Sequence, residues 1–223
     1  EALKIVDINA KGMGVGKDDG RVFFVPGTVP GDVVTATAYR KRRGYWEARL
    51  EKIEKPSPDR VNAPCDYFGL CGGCKWQHFD YQAQLQFKEK EVTHNLTHIG
   101  KVTPTEKYPI VAAPADYYYR NKMEFSFSSQ RWLTAEEINS EATIERRGVG
   151  FHKPGMWDKV VDIHHCHLQA DPSNAIRNFI RSYALEHNLS FFNPREQEGF
   201  LRTLMIRTAS TGEVMVLLQF FHE

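Results

Sequence analysis

The chain contains four cysteines, and their layout constrains its fold more than any other feature. Cys65, Cys71 and Cys74 follow one another in C-x5-C-x2-C spacing, while Cys166 stands alone far downstream. If the four sulfurs serve one site, a remote segment must return to a tight loop. Disulfide scaffolds are cysteine-dense, and four cysteines in 223 residues are not dense. The pair Cys71-Gly72-Gly73-Cys74 has C-x-x-C form, but redox motifs of that form sit on a βαβ background, which the surrounding pattern does not offer. Four-cysteine zinc sites combine two short knuckles, and here the second half is a single residue. Three close ligands and one remote ligand are nearer to plant-type iron–sulfur spacing. Gly69, Gly72 and Gly73 let the backbone wrap closely and aim N–H groups at sulfur, which favours an anionic cluster. The residues therefore leave three alternatives open: an iron–sulfur cluster first, zinc second, disulfides or free thiols third. His164, His165 and His167 flank Cys166 either as substitute ligands or as residues surrounding the centre.

Hydrophobic residues make up 41% of the chain and charged residues 26%, which suits globular cores. No apolar run is long enough to span a bilayer, so the expectation is a monomer in the cytoplasm with no membrane partner. Net charge is only +1, so any signal for nucleic acid must be local. The chain opens on Glu1 rather than Met, which leads to the expectation of a piece of a larger protein.

The expected fold class is mainly β with α+β: an OB-like barrel over residues 1–57, then an α+β domain over 58–223 carrying the four-cysteine site. Short strands over 3–8, 21–25, 32–39 and 45–54 alternate with Gly, Asp and Pro turns. The run Gly12-x-Gly14-x-Gly16 leads into a strand rather than a helix, so it offers no helix N-terminus to phosphate and marks bends in the barrel instead. Pro56-Ser57-Pro58 reads as a linker. Asp80 caps a helix whose apolar stripe is Leu85, Val92, Leu96 and Ile99, with Lys88, Glu89, Lys90 and Glu91 outside. The alternation across 120–128 turns Met123, Phe125 and Phe127 inward. Residues 131–147 form an acidic, loop-like insertion; strands over 149–152 and 159–163 then deliver Cys166. Asp171-Pro172 opens a helix with Ile176, Phe179, Ile180 and Tyr183 on one face, and a hairpin spans 200–209 and 213–220.

Basic and aromatic residues gather in two places. Tyr39-Arg40-Lys41-Arg42-Arg43-Gly44-Tyr45-Trp46 sets four cations between rings, a composition that can neutralise phosphates and stack on bases of single-stranded RNA. A solvated hairpin tip would have the same look. Tyr117-Tyr118-Tyr119 followed by Arg120, Asn121 and Lys122 mixes the same two chemistries, or places some of those rings in a core.

With these segments in view, the chain resembles a known family. The glycine run and Pro26-Gly27-Thr28-Val29-Pro30-Gly31-Asp32 resemble a TRAM domain, an OB-like RNA-binding barrel. Cys65-Asp66-Tyr67-Phe68-Gly69-Leu70-Cys71-Gly72-Gly73-Cys74-Lys75-Trp76-Gln77-His78 is similar to the iron–sulfur motif of the 23S ribosomal RNA (uracil-5-)-methyltransferases. Tyr119-Arg120-Asn121-Lys122, Gly150-Phe151-His152-Lys153 and Val161-Asp162-Ile163 before Cys166 are similar as well. The resemblance implies a [4Fe–4S] cluster on Cys65, Cys71, Cys74 and Cys166, with zinc as the alternative. It also implies ribosomal RNA held by Arg40, Lys41, Arg42, Arg43, Tyr45 and Trp46, and by Arg120, Asn121 and Lys122. Enzymes of that family move a methyl group from S-adenosylmethionine to C5 of uracil after a cysteine adds to C6. No fifth cysteine and no Gly-rich strand–turn–helix occur in this sequence. The expectation is an N-terminal portion, inactive alone, with a Rossmann-like catalytic domain after residue 223. A non-enzymatic RNA-binding protein with a structural zinc site is the alternative.

Overall fold

In the computed structural model, residues 2–221 are described, and the chain divides into two compact units. The first runs to Pro64 and resumes over Lys75–Pro114; the second comprises Cys65–Cys74 and the chain from Ala115 onward. The units thus divide the chain otherwise than by one cut after residue 57.

Five strands close the barrel of the first unit: β1 (Leu3–Ile8), β2 (Met13–Asp18), β3 (Arg21–Pro26), β4 (Val33–Arg42) and β5 (Tyr45–Lys55), in the order β1-β2-β3-β5-β4. The β1–β4 pairing, Leu3 opposite Val34, completes the closure and leaves no free edge. Leu3, Ile5, Val25, Val34 and Ala48 fill the interior. Of the glycine run, Gly12 sits in the bend between β1 and β2 as expected, whereas Gly14 and Gly16 lie within β2 and face inward. A Cβ on Gly14 would collide with the Thr28 hydroxyl and the Ile5 side chain, so only glycine lets the strands approach there.

Residues 56–58 are not a slack linker. Asp32 is fully buried and accepts hydrogen bonds from the backbone N–H of Val29 (2.8 Å) and of Ser57 (2.9 Å). Arg60 donates to the same carboxylate from Nε (3.1 Å) and Nη2 (2.6 Å), and from Nη2 to the Gly27 carbonyl (2.9 Å). Burial pushes the Asp32 carboxyl up, but Arg60 and the two N–H groups outweigh it and hold it below its ordinary value.

Helix α1 (Tyr81–His94), capped by the Asp80 side chain accepting from the Ala83 N–H (3.0 Å), continues as a π-helical turn over Asn95–Ile99. It packs within the barrel unit through Ala83 and Phe87, one turn apart, against Val29, Phe79, Trp76 and Ile8. The expected stripe turns inward only at Leu85. Val92, Leu96 and Ile99 stay exposed, Ile99 by 72%, because the face bearing Ala83 and Phe87 packs inward instead. Val92 and Leu96 line a shallow cavity of about 200 Å³ with Pro104, Tyr108 and Ile110.

The second unit holds a five-stranded sheet in the order β10-β9-β6-β7-β8, formed by β6 (Lys122–Ser128), β7 (Gly148–His152), β8 (Val160–Asp162), β9 (Leu201–Thr208) and β10 (Val214–Phe220). Met123, Phe125 and Phe127 alternate inward from the central strand onto Leu204, Ile206, Val149 and Val161. Each such side chain contributes about 1.5–3 kcal/mol on burial. Residues 131–147 are not wholly loop. They hold a one-turn helix, α2 (Ala135–Ile138), with a reciprocal cap between Thr134 and Glu137, and Arg131 pairs with Glu137 at 2.5 Å. Helix α3 (Ser173–Glu186) buries Ser173, Asn174, Arg177 and Ala184. Ile176 and Ile180 pack at the core margin as expected, but Phe179 and Tyr183 do not: Phe179 is 71% exposed, and the two rings stack on each other in solvent.

Candidate metal centre and nucleic-acid surface

All four cysteines fall in the sheet unit, and all are free. The loop carrying three of them is wound by short backbone bonds, from Phe68 N–H to the Cys65 carbonyl (3.0 Å) and from Cys71 N–H to the Tyr67 carbonyl (2.9 Å). It is tied to β7 by the Gly72 N–H donating to the His152 carbonyl (3.1 Å). A Cβ on Gly72 would come within 2.6 Å of that same carbonyl oxygen, so glycine is needed where the loop meets the strand. Tyr67 adds a second tie, its hydroxyl accepting from the His164 N–H (3.2 Å).

Cys166 follows β8 and is buried. Asn174 of α3 clamps its backbone from both sides: Oδ1 accepts from the Cys166 N–H (2.8 Å), and Nδ2 donates to the Cys166 carbonyl (3.2 Å). Backbone N–H groups point at several sulfurs, Gly73 to Cys71 Sγ at 3.4 Å, Tyr67 and Phe68 to Cys65, and Leu168 to Cys166. Burial pushes the Cys71 thiol up to about 11 and raises those of Cys65 and Cys166, and each of these three thiols also feels Cys74. Protonated thiols in such surroundings ionise when a metal takes them.

The four thiols share one electrostatic neighbourhood, yet among the described residues no three His, Cys, Asp or Glu side chains close on a single-ion position. The donor set itself is all sulfur, with N–H groups directed at it and apolar side chains around it, which fits a soft, sulfur-ligated anionic centre. The flanking histidines are engaged with other side chains. Tyr118 Oη bonds His167 Nδ1 (2.9 Å) and His165 Nε2 (3.2 Å), and His164 sits 3.9 Å from Asp162.

The two basic stretches lie in different units. Arg40, Lys41, Arg42 and Arg43 are exposed along the β4–β5 hairpin, whose turn is Arg43-Gly44. Arg42 pairs with Glu47 (2.9 Å), and Lys41 lies 5.5 Å from the Trp46 ring centroid. Tyr45 is half-buried against Phe24, with ring centroids 4.5 Å apart, so the freely exposed ring beside the cations is Tyr39. In the sheet unit, Arg120, Asn121 and Lys122 are exposed where the chain enters β6, and Lys122 pairs with Glu124 at 3.0 Å. Tyr118 and Tyr119 are exposed beside them, while Tyr117 is half-buried. Asn174, which bonds Cys166, and Arg177, which bonds Asn174, are not legible from apolar periodicity because they occupy the core face of α3 as polar residues.

The closed barrel defines the first unit as an OB-like module, and residues 3–50 match the TRAM domain family. Over a longer span, the chain is 47% identical to an uncharacterized RNA methyltransferase of Porphyromonas gingivalis, in an alignment covering 99% of this chain and 49% of that protein. It is 48% identical to an uncharacterized RNA methyltransferase of Bacteroides thetaiotaomicron, covering 94% of this chain and 46% of that protein. The chain thus spans about half the length of the curated relatives it matches. Among solved structures, the tRNA (uracil-54, C5)-methyltransferase of Pyrococcus abyssi, in complex with S-adenosyl-L-homocysteine, superposes with a TM-score of 0.70 at 25% identity, covering 99% of this chain and 46% of that one. Among the described residues, no helix is long and apolar enough to cross a membrane.

Proposed function

We propose that this chain is the RNA-holding portion of an S-adenosylmethionine-dependent RNA (uracil-C5) methyltransferase. The observation that carries the proposal is the superposition of nearly the whole chain on a uracil-C5 methyltransferase. The TRAM match over the barrel and the exposed cations of its β4–β5 hairpin support an RNA grip. In this reading, Arg40, Lys41 and Arg43 meet phosphates and Tyr39 offers a stacking face, while Arg120, Asn121 and Lys122 add a second RNA-facing set from the sheet unit. Cys65, Cys71, Cys74 and Cys166 hold a [4Fe–4S] cluster. Bound there, a cluster supplies a structural cross-link between the loop and the end of β8, and no electron transfer is required of it. All four cysteines of the chain are then committed, so the attacking cysteine and the methyl donor's site lie in the part of the relatives that this chain does not span.

The cysteine run favours ribosomal RNA as substrate. The structural neighbour favours transfer RNA, since that protein acts on uracil-54 of tRNA. Methyl transfer by the full-length protein to unmodified 23S ribosomal RNA and to unmodified tRNA separates the two, and labelling of neither overturns the assignment. On the binding side, replacing Arg40, Lys41 and Arg43 together with Ala is expected to weaken RNA affinity. The slope of log K against log salt should fall by about one for each phosphate that is no longer neutralised. An unchanged slope removes the hairpin from the RNA surface.

A further inference from the structure

Arg177 is the largest side chain fully buried in the described chain. Its guanidinium stays charged in any protein environment, yet the groups that meet it are neutral. Nη1 donates to Asn174 Oδ1 (3.0 Å), Nη2 donates to Asn178 Oδ1 (3.1 Å), and the Phe125 ring lies 5.1 Å from Cζ. Nε has no hydrogen-bond partner among the described residues. The carboxylates nearby are engaged elsewhere. Asp162 is held by Arg181 through Nε (2.9 and 3.0 Å) and Nη2 (2.6 Å), and by the Val149 N–H (2.9 Å). Asp171 accepts from the Asn174 N–H at the start of α3 (3.2 Å). A buried cation with no anion of its own is strongly unfavourable.

The groups of this unit left to supply an anion are its cysteines, once ionised. Burial pushes the Arg177 guanidinium down, and the first group that opposes this is Cys166, ahead of Tyr67, Asp162 and Asp171. The link is also mechanical, because Asn174 binds Arg177 and both backbone groups of Cys166. Four thiolates around a divalent core leave a net negative charge.

We propose that Arg177 is the built-in counter-cation of the four-thiolate centre, so that the sheet unit is electrostatically complete only when Cys65, Cys71, Cys74 and Cys166 are ionised around a bound metal group. This rests on the assignment of those four cysteines as ligands made under Proposed function. Arg177 is a positioning residue in this scheme and touches no substrate.

The test compares the wild-type chain with R177M and R177K, each prepared anaerobically without metal and after loading with ferrous iron plus sulfide, or with zinc alone. The readouts are metal per chain, the rate of metal loss to a chelator, and Tm of each form. Unloaded R177M is expected to melt no lower than unloaded wild type, because an uncompensated buried charge has been replaced by an apolar chain of similar reach. Loaded R177M should bind metal about 10–100-fold more weakly and gain less Tm on loading. R177K keeps the charge and should retain most of the affinity.

Unloaded R177M that melts below wild type or fails to fold makes Arg177 an ordinary structural residue and overturns the proposal. So does R177M that retains metal like wild type, or R177K that loses it as fast as R177M. Wild type that takes up neither iron nor zinc sinks the ligand assignment itself, and the counter-cation with it. Wild type that loads while R177M behaves identically sinks only the counter-cation.

Discussion

In the barrel unit, buried Asp32 meets Arg60 at 2.6 Å and two backbone N–H groups besides. In the sheet unit, buried Arg177 meets two asparagines and a ring, and the same unit holds four free thiols. One unit satisfies its buried charge from its own side chains. The other holds a buried cation with no carboxylate of its own, and four thiols that would carry charge of the opposite sign only if ionised. The barrel's buried charge is thus compensated by its own polar network, whereas under the counter-cation proposal that of the sheet unit is compensated only by a bound metal group.

This contrast is most exposed to experiment at Cys166. C166S removes one thiolate and places a hydroxyl in the core with Phe125 and Leu168. Under the proposed assignment, loss of the centre is expected to cost on the order of 10 kcal/mol, the magnitude of structural metal binding. Metal analysis should show an empty centre, and hydrogen exchange should speed up in residues 65–74 and 160–168 while β1–β5 stay protected. Equal deprotection of the barrel strands would erase the contrast.

The converse change is D32N, which leaves Arg60 without its carboxylate and is expected to cost about 3–5 kcal/mol, read as faster exchange in β1 and β4. Because the folded Asp32 carboxyl lies below its ordinary value, its contribution is present above about pH 4 and is lost as pH falls through the folded value. Metal content should not change, and a fall in metal content would count against separate roles.

The smallest effect concerns His78. Burial and then the nearby Arg60 charge push its imidazole down to about 4. A depressed folded value means that this contribution is complete above the ordinary histidine value near 6.5 and drains away as pH falls towards 4. The barrel unit should therefore lose on the order of 2–3 kcal/mol across that window. Denaturation of wild type and H78F at pH 7 and pH 5 checks this, since H78F should flatten the pH dependence; an unchanged slope would remove His78 as its source.

Strands were the most legible elements, because alternation reports a half-buried face directly. Met123, Phe125 and Phe127 in β6 and Leu3 and Ile5 in β1 turn inward as their spacing requires. The glycine run was legible as barrel but not as strand, since its inward positions carry no side chain to reveal the period. Helix faces were the least legible. In α1 the docking face is Ala83 and Phe87 rather than the longer aliphatic stripe, and in α3 two of the four expected core residues, Phe179 and Tyr183, face solvent. The thiols could be picked out by spacing, but Arg177 and Asn174 could not, because polar residues on a helix carry no mark of burial.

Local features follow from the amino-acid order alone. Strand alternation, the Asp80 and Thr134 caps and the close spacing of Cys65, Cys71 and Cys74 depend only on neighbouring residues and backbone geometry. Three other features were settled only by the packed fold: which face of α1 and α3 turned inward, that Ser57 and Arg60 lock onto Asp32, and that a buried cation is joined to Cys166 through Asn174. Burial and charge compensation are properties of what packs against a residue, and those partners come from distant parts of the chain.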